Sequence, residues 1–159
     1  MKLSSRLDTI KNKVTDHYDH IWDCCCDHGQ LGVALLSSQP KSVVHFVDVV
    51  DELMVDLESQ LQKHASAIQS QWQVHCMDVA NLPLVKGKKN LIIIAGVGGD
   101  LLIELVRSIQ TRNSDIELEF ILCPVLHNYM VRCELREMGF GLLSETLVKE
   151  NKRFYEVLH

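Results

Sequence analysis

The chain has 159 residues, of which 47% are hydrophobic and 23% are charged, and its formal net charge is −5. This length is typical of one domain that buries roughly two-thirds of its unfolded surface, and the composition is that of a globular protein. The negative charge excludes a protein that coats nucleic acid over its whole surface. No apolar run approaches the roughly 18 residues of a membrane span and no signal-peptide core is present, so we expect a cytoplasmic protein without membrane contact.

The first element is an amphipathic helix over residues 3–14, because Leu3, Leu7, Ile10 and Val14 have the spacing of one helix face. Strands and helices then alternate. We predict strands at 20–25, 42–49, 72–79, 90–96 and 118–124, and helices at 30–38, 51–66, 79–85, 99–110 and 127–138. The last residues, 140–159, predict a β-hairpin with its turn in "KENKR", 149–153.

This alternation predicts an α/β fold, a Rossmann-like, doubly wound, mostly parallel seven-stranded sheet with an antiparallel hairpin at its C-terminal end. The continuous apolar run 90–96 is typical of a central parallel strand that is buried on both faces. In such folds ligands bind at the carboxyl ends of the strands.

The loop after the first strand reads "DCCCDHGQLG" over residues 23–32. Dinucleotide-binding loops follow G-x-G-x-x-G, because glycines let a helix N-terminus approach a pyrophosphate. Here Asp23, Asp27 and His28 precede Gly29, so the loop is acidic and favours a cationic ligand. S-adenosyl-L-methionine, which carries a sulfonium and an ammonium group, fits that description.

Two more acids follow the next strands. Asp48 ends the second strand, where a carboxylate can accept hydrogen bonds from ribose hydroxyls, and Asp78 ends the third, where a carboxylate can meet an adenine amino group. Helix capping is the alternative role for both. A second glycine loop, "AGVGG" at 95–99, follows the fourth strand and is expected on the same edge.

The three consecutive cysteines, Cys24, Cys25 and Cys26, predict packing residues and no metal site, since zinc ligands are usually separated by two to four residues. His28 is expected to be a hydrogen-bonding loop residue. We predict a cofactor site that includes Asp23, Cys25, Asp27, His28, Gly29, Asp48, Val49, Asp78, Val79, Ala95 and Gly96.

Four motifs in chain order resemble the bacterial tRNA (adenine-22, N1) methyltransferases, which are class I S-adenosyl-L-methionine enzymes. "LSSRL" (3–7) matches L-S-x-R-L, and "DCCCDHG" (23–29) is similar to D-I-G-S-D-H-A. "IIIAGVGG" (92–99) and "FYEVL" (154–158) match I-x-I-A-G-M-G-G and C/F-Y-E-V-L. The resemblance implies a tRNA-modifying methyltransferase.

The chain departs from the family pattern in two places, one in the loop motif at 23–29 and one after the fifth predicted strand. Cys25 stands where the family has a loop glycine, and Cys123, Pro124 and Val125 stand where it has Q-P-N. The family also continues into a helical C-terminal domain. We therefore predict a single methyltransferase domain over residues 1–159, without that helical domain.

The fourth strand is not followed by the D/N-P-P-Y element of enzymes that methylate exocyclic amines, which favours a ring nitrogen as acceptor. Methylation of adenine N1 produces a cationic ring, and a nearby carboxylate stabilises that charge. Asp27 is the candidate for this catalytic role. Binding the methionine ammonium of the cofactor is the alternative role for Asp27.

RNA is held by phosphate contacts, and the predicted hairpin turn lies on the ligand side. The candidate contacts are Lys149, Lys152 and Arg153, together with Lys2, Arg6 and Lys13 on the first helix. We expect "KGKK" (86–89) to face away from the site. Two function classes remain at this point: a tRNA adenine-N1 methyltransferase, or a methyltransferase-fold domain that has a small-molecule substrate or only binds the cofactor.

Overall fold

The computed structural model describes residues 3–159, and these form one seven-stranded sheet with helices on both faces. The helices are α1 (Ser5–Lys13), α2 (Gln30–Ser38), α3 (Asp51–His64), α4 (Gly99–Arg112) and α5 (Asn128–Glu137). The strands are β1 (His20–Cys24), β2 (Val43–Asp48), β3 (Trp72–Cys76), β4 (Asn90–Ala95), β5 (Glu119–Cys123), β6 (Glu145–Glu150) and β7 (Arg153–Leu158).

The strand order is β3-β2-β1-β4-β5-β7-β6. The first five strands in chain order pair in parallel, and β7 runs antiparallel between β5 and β6. This topology confirms the predicted doubly wound sheet with a terminal hairpin. Since β6 runs in the same direction as β5, the hairpin turn lies at the carboxyl edge of the sheet, as predicted.

Alternate residues of the central strands enter two cores. Ile21, Phe46 and Ile93 pack under α1, α2 and α3, whereas Trp22 and Ile92 belong to the core shared with α4 and α5. The run 90–96 forms β4 between β1 and β5, and its first five residues are buried, as expected of a central parallel strand.

Helix α2 approaches β2 closely because Gly32 has no side chain. A Cβ built at Gly32 would lie 2.2 Å from Cε1 of Phe46, so no other residue fits there without a shift of the ring. This close approach also brings the N-terminal turn of α2 over the end of β1, where the acidic loop begins.

Two predicted boundaries are wrong. The helix expected at 79–85 is a single 3₁₀ turn, Val79–Asn81, because Pro83 follows and restricts the backbone before it. The strand expected at 72–79 ends at Cys76, and a 3₁₀ segment, Ser66–Gln71, precedes it.

Residues 86–89 lie at the opposite, amino edge, where Lys89 pairs with Asp16 at 3.4 Å, as predicted for a solvated turn.

Within residues 3–159, no helix has the length and apolar character needed to cross a membrane.

Candidate functional site

Three aspartates meet at the carboxyl edge of the sheet, and we call Asp23, Asp48 and Asp78 the acid row. Asp23 and Asp48 lie near the ends of the paired strands β1 and β2, and Asp78 follows β3. The backbone N–H of Met77 donates to the Asp48 carbonyl at 2.9 Å, which extends the β2–β3 pairing beyond the strand ends. The structure therefore brings the predicted strand-end acids to one edge.

Asp48 organises two loops through its carboxylate. Its Oδ1 accepts hydrogen bonds from the backbone N–H groups of Val49 at 2.8 Å and Val50 at 3.2 Å. Its Oδ2 accepts a hydrogen bond from the backbone N–H of Asp27 at 3.0 Å. Because a carboxylate has about four acceptor positions, one remains for a ligand hydroxyl. Asp48 thus connects the loop after β1 to the loop after β2.

Asp23 is the buried member of the acid row. Its Oδ2 accepts a hydrogen bond from the backbone N–H of Gly32 at 2.8 Å, which ties β1 to α2. Burial raises the pKa of this carboxyl to about 7; the Gly32 hydrogen bond opposes that shift and the charge of Asp48 adds to it. Asp23 is therefore a support beneath the loop, and its side chain does not reach the surface.

Asp78 is exposed and caps the 3₁₀ turn that follows it. Its Oδ1 accepts a hydrogen bond from the backbone N–H of Ala80 at 2.9 Å, so the capping role considered from the sequence is present. Val79 and Val49, the residues that follow Asp78 and Asp48 and were also predicted at the cofactor site, differ in their exposure. Val79 is a core side chain, 3% exposed, and leaves only its backbone for a ligand, whereas Val49 is 65% exposed beside Asp48.

The loop after β1 holds two non-glycine residues in the left-handed region. Cys25 has φ 55° and Asp27 has φ 52°. This conformation is uncommon for residues with a Cβ and is strained at cysteine. Cys25 stands where the family pattern has glycine, and the chain keeps the glycine-like backbone with a side chain present.

The Cys25 thiol lies among the acids. Burial, together with the charges of Asp48, Asp23 and Asp78, raises the pKa of this thiol to about 11, so it stays protonated at neutral pH. Its side chain is half-buried, as is that of Cys26, whereas Cys24 is buried. All six cysteines are free thiols. No group of three or more histidine, cysteine or acidic side chains within residues 3–159 is arranged to hold a metal ion.

Asp27 and His28 form the exposed rim of the same loop. His28 Nε2 lies 3.6 Å from Asp27 Oδ1, and the two side chains are about 70% exposed, at 68% and 70%. Gly29 then starts α2 with φ 65°, and a Cβ there would lie 2.7 Å from Cδ2 of Leu57. The left-handed backbone and the close approach of α3 both favour glycine at that position.

The glycine loop at 95–99 lies beside the loop that follows β5. The N–H of Gly96 donates to the Cys123 carbonyl at 3.2 Å, and the N–H of Val125 donates to the Val97 carbonyl at 2.9 Å. Gly96 has φ 83°, and a Cβ there would meet only Nη2 of Arg6, at 3.9 Å. The half-buried Ala95 and exposed Gly96 thus leave open space at the end of β4.

Arg6 lies within this edge, although the sequence predicted a contact from the surface of α1. Its guanidinium carbon lies 4.9 Å from the centroid of the Tyr155 ring, and its backbone N–H donates to Glu150 Oε1 at 3.0 Å. The Nε atom is buried and has no partner among the described residues. Arg6 therefore supplies a positive charge close to Gly96.

The other predicted RNA contacts divide between the two edges. Lys149, Lys152 and Arg153 are exposed at the hairpin turn, on the carboxyl edge. Lys13 lies at the opposite end of α1, where its Nζ donates to Ser144 Oγ at 2.9 Å, so it is not part of this edge. Lys2 lies outside the described residues.

The sequence analysis missed an exposed pair, Asp100 and His127. Asp100 is in the first turn of α4 and His127 immediately precedes α5; Nδ1 of His127 lies 2.6 Å from Oδ2 of Asp100. Each residue follows a strand-end loop on the carboxyl edge. That position is the only sequence signal for them, because 27 residues separate the two.

A second set of residues that the sequence did not predict is the histidine row, which is His20, His45 and His75. Nδ1 of His20 lies 2.9 Å from Nε2 of His45, and Nδ1 of His45 lies 3.0 Å from Nε2 of His75. The His45 ring stacks on Trp22 with centroids 3.7 Å apart. Burial and the two neighbouring histidines lower the pKa of His45 to about 3, so the middle ring is neutral at neutral pH; burial also lowers the pKa values of His20 and His75. The sequence signal is H-x-x-D, which occurs in β1, β2 and β3.

A groove of about 780 Å³ lies away from the acid row, between α5 and the segment before β6. Its lining includes Phe120, Arg136, Phe140 and Leu158. Glu119, at the amino end of β5, also lines it, so the groove belongs to another part of the sheet. We assign the candidate site to the carboxyl edge because its polar groups converge there.

Comparison with known proteins gives one family and several similar chains. A family model described as "Methyltransferase domain" matches residues 3–158. The chain is 26% identical over 158 residues to the tRNA (adenine(22)-N(1))-methyltransferase of Bacillus subtilis (strain 168). That match covers 99% of this chain and 64% of the B. subtilis protein, so the chain spans somewhat less than two-thirds of this relative.

Solved structures agree with the fold. The crystal structure of the B. subtilis M1A22 tRNA methyltransferase TrmK superposes with a TM-score of 0.83 at 26% identity, over 99% of this chain and 65% of that chain. A Streptococcus pneumoniae structure with bound S-adenosyl-L-methionine gives a TM-score of 0.85 at 22% identity, over 99% of this chain and 72% of that chain. At that identity the second similarity concerns the fold alone.

Proposed function

Because the chain belongs to the methyltransferase domain family, we propose that it transfers a methyl group from S-adenosyl-L-methionine to N1 of an adenine in tRNA. The observation that carries the proposal is the similarity to the B. subtilis tRNA (adenine(22)-N(1))-methyltransferase, which extends over 99% of this chain. The proposal includes a cytoplasmic location, where a tRNA substrate is found.

The carboxyl edge fits the cofactor in its charge and in its space. Asp48, Asp78 and Asp27 supply carboxylates for a ligand with a sulfonium and an ammonium group, and Gly96 leaves room at the end of β4. S-adenosyl-L-methionine, when bound, supplies a methyl group on a positively charged sulfur. Asp48 is the proposed acceptor for the ribose hydroxyls, and Asp78, which is exposed, for the adenine amino group.

The protein's own contribution is positioning. Adenine N1 has an in-plane lone pair, so no base is needed and orientation supplies much of the rate enhancement. The ring becomes cationic as the bond forms, and a fixed carboxylate nearby stabilises that charge. We assign this carboxylate to Asp27, whose backbone is held by Asp48 at 3.0 Å. Binding of the ammonium group is the second role for Asp27, and Asp27→Asn distinguishes the two, as described below.

The hairpin turn and Arg6 supply the positive charge for RNA. Lys149, Lys152 and Arg153 lie at the same edge as the acid row, and the ring of Phe154, which is 61% exposed, lies beside Lys149. Exposed aromatic rings stack on unpaired bases, and N1 is accessible only in an unpaired or flipped adenine. The chain therefore has a charged and aromatic border around the methyl-transfer position.

One observation favours the second function class. Cys25 places a half-buried side chain among Asp23, Asp48 and Asp78, where the family pattern has glycine. A side chain there narrows the space for a cofactor. Under the corresponding hypothesis, the domain binds S-adenosyl-L-methionine weakly and either methylates a small molecule or has no catalytic activity.

The test combines cofactor binding with product mapping. Calorimetry with S-adenosyl-L-methionine and its demethylated product measures binding, and labelled cofactor with unmodified bacterial tRNAs, followed by nucleoside mass spectrometry, locates the methyl group. The proposal expects 1-methyladenosine in amounts that fall with salt, because phosphate contacts supply much of the affinity. Asp27→Asn is expected to lower kcat if the charge acts on the ring, and to weaken cofactor binding if it holds the ammonium group.

Two outcomes contradict the proposal. Cofactor binding without methylation of any tRNA favours the second function class. Absence of heat with either cofactor form contradicts both classes. A control reaction on a chain extended to the length of the B. subtilis relative shows whether residues outside the matched 64% are needed to hold tRNA.

A further inference from the structure

Asp100 and His127 form a hydrogen-bonded pair at the carboxyl edge, where the loops after β4 and β5 are joined to each other. Two backbone hydrogen bonds join the glycine loop after β4 to the loop after β5, and a third links the N–H of Gly99 to the Leu126 carbonyl at 3.1 Å. The hydrogen-bonded pair of His127 and Asp100 comes directly after this third bond in both segments. It therefore lies on the same edge as Gly96 and Arg6, next to the acid row but separate from it.

Stability does not account for the pair. His127 and Asp100 are 58% and 77% exposed, and contacts between exposed polar or charged side chains contribute little to folding. His127 also adopts φ 62°, a left-handed conformation that is unfavourable for histidine. The two helices are already docked without the pair, because a Cβ on Gly99 would lie 2.8 Å from both the Leu126 carbonyl oxygen and Cγ2 of Val131.

Asp100 determines which ring nitrogen of a neutral His127 carries the proton. A carboxylate only accepts hydrogen bonds, so Nδ1, at 2.6 Å from Oδ2, is the donor. Nε2 then carries a lone pair. No other residue of the described chain bonds to Nε2 of His127. The pair thus presents one oriented hydrogen-bond acceptor on a half-exposed ring.

We propose that Nε2 of His127 accepts a hydrogen bond from the exocyclic N6 amino group of the target adenine, and that Asp100 is the positioning residue for this contact. The inference rests on the proposed function and names how its substrate base is chosen. Adenine carries a donor at this position, whereas guanine and hypoxanthine carry an oxygen acceptor, which faces the lone pair of Nε2 unfavourably. Because N6 is attached to the carbon next to N1, holding N6 also orients N1.

The surroundings of His127 suit a base. Leu126, the residue before His127, is 58% exposed, so apolar surface lies next to the histidine in the chain. Aromatic and apolar side chains bind the faces of unpaired bases, and the edge of the base is then selected by hydrogen bonds. The chain has Val125 where the family pattern has a polar asparagine, and His127 restores a polar group two residues later.

The experiment compares adenosine with purine riboside, which lacks only the N6 amino group, at the target position of one tRNA. In the parent protein we expect kcat/KM to be about 10- to 100-fold higher for adenosine, because purine riboside leaves the Nε2 acceptor unpaired and its N1, which lacks the electron-donating amino group beside it, is a weaker nucleophile. His127→Asn is the matched variant. Asparagine tolerates the left-handed backbone and its amide still donates to Asp100, but it has no acceptor at the position of Nε2.

The proposal expects His127→Asn to lower the adenosine preference by about 10-fold, which leaves the part due to the nucleophilicity of N1, while the free energy of unfolding is unchanged and the dissociation constant for S-adenosyl-L-methionine remains within about twofold of the parent. Asp100→Ala is expected to reduce the preference partially, and His127→Gln, whose longer amide places an oxygen near Nε2, to restore part of it. A His127→Asn protein that keeps the full preference overturns the proposal.

A second measurement does not depend on turnover. Nitrogen-15 spectra of the histidine rings, recorded with the demethylated cofactor product bound, follow titration with a short single-stranded RNA that contains adenosine or purine riboside. A shift of the His127 Nε2 signal with adenosine alone supports the contact even if no tRNA is methylated, in which case only the proposed substrate fails. The same response to both RNAs, or no response to either, overturns it.

Discussion

Two rows of titratable side chains cross the same three strands with the same spacing. Each strand contributes a histidine, and an aspartate follows three residues later, within the strand in β1 and β2 and just after it in β3; the pairs are His20 and Asp23, His45 and Asp48, and His75 and Asp78. An odd spacing places the two side chains on opposite faces of a strand. The histidine row lies over the core that contains Trp22, and Asp23 faces α2 on the other side.

The rows differ in what satisfies their polar atoms. The histidines bond to one another at 2.9 and 3.0 Å, and the middle ring is 3% exposed. The acids bond instead to backbone N–H groups of loops: Asp48 alone accepts three. The histidines hydrogen-bond to one another and are part of the core. The acids accept hydrogen bonds from backbone N–H groups, and acceptor positions remain at the open carboxyl edge. The identical spacing therefore serves structure in the histidine row, and in our proposal it serves ligand binding at the exposed members of the acid row.

The largest expected effect concerns pH, and it separates the rows by sign. Burial raises the pKa of Asp23 from 3.8 to about 7, so its contribution to folding is complete below pH 3.8 and is lost as the pH rises to 7. Burial lowers the pKa of His45 from 6.5 to about 3, so its contribution is complete above pH 6.5 and is lost as the pH falls. Each group changes the free energy of unfolding by up to about 1.4 kcal/mol per pH unit.

Denaturant titrations between pH 4 and 6.5 measure this difference. Relative to the parent, Asp23→Asn is expected to make the free energy of unfolding rise more steeply with pH, because the opposing acid is removed. His45→Gln is expected to make it rise less steeply or fall. Parallel profiles for all three proteins would show that neither row titrates as its burial requires.

The next effect tests whether ligand binding belongs to the acid row. Asp48→Ala removes the acceptor of three backbone N–H groups and the proposed ribose acceptor, so we expect the dissociation constant for S-adenosyl-L-methionine to rise roughly 10- to 100-fold. Asp51→Ala, which removes the same charge from the exposed first turn of α3, is the matched control. Calorimetry that finds equal weakening in both variants would assign the effect to net charge and not to the row.

The smallest effect concerns the residue that stands among the acids. Cys25→Gly removes a side chain from a backbone with φ 55° and opens the space between Asp23 and Asp48, so we expect cofactor binding to tighten several-fold, by about 1 kcal/mol. Cys26 has no positive φ, and Cys26→Gly is expected to destabilise the protein without tightening binding. Unchanged affinity in Cys25→Gly would show that the thiol lies outside the space the cofactor needs.

Much of the carboxyl edge could be predicted because parallel strands align their ends. Residues Asp23, Asp48 and Asp78 each follow an apolar run, and that local pattern is sufficient to place them together. The hairpin turn was predicted on this edge for the same reason, since β6 must run parallel to β5 when β7 lies between them.

The missing parts were contacts between residues far apart in sequence. Asp100 and His127 face each other only because Gly99 permits the loop after β5 to approach α4. The position of Arg6 near Gly96 likewise depends on how α1 packs against β6 and β7. Neither contact leaves a periodic pattern in the chain.

Hydrophobic periodicity and local turn chemistry act over a few residues, so the order of helices and strands along the chain, the buried central strand β4 and the residue types at the strand ends could all be predicted from the sequence. Which of those polar residues are available to a ligand depends instead on tertiary contacts. Asp23 was predicted to bind the cofactor and is buried beneath α2, Val79 is a core side chain, and the histidines three positions before the acids bond to each other. A polar side chain is available to a ligand only where no neighbouring group covers it or already hydrogen-bonds to it. Those neighbours come from other strands and helices, far away in the sequence.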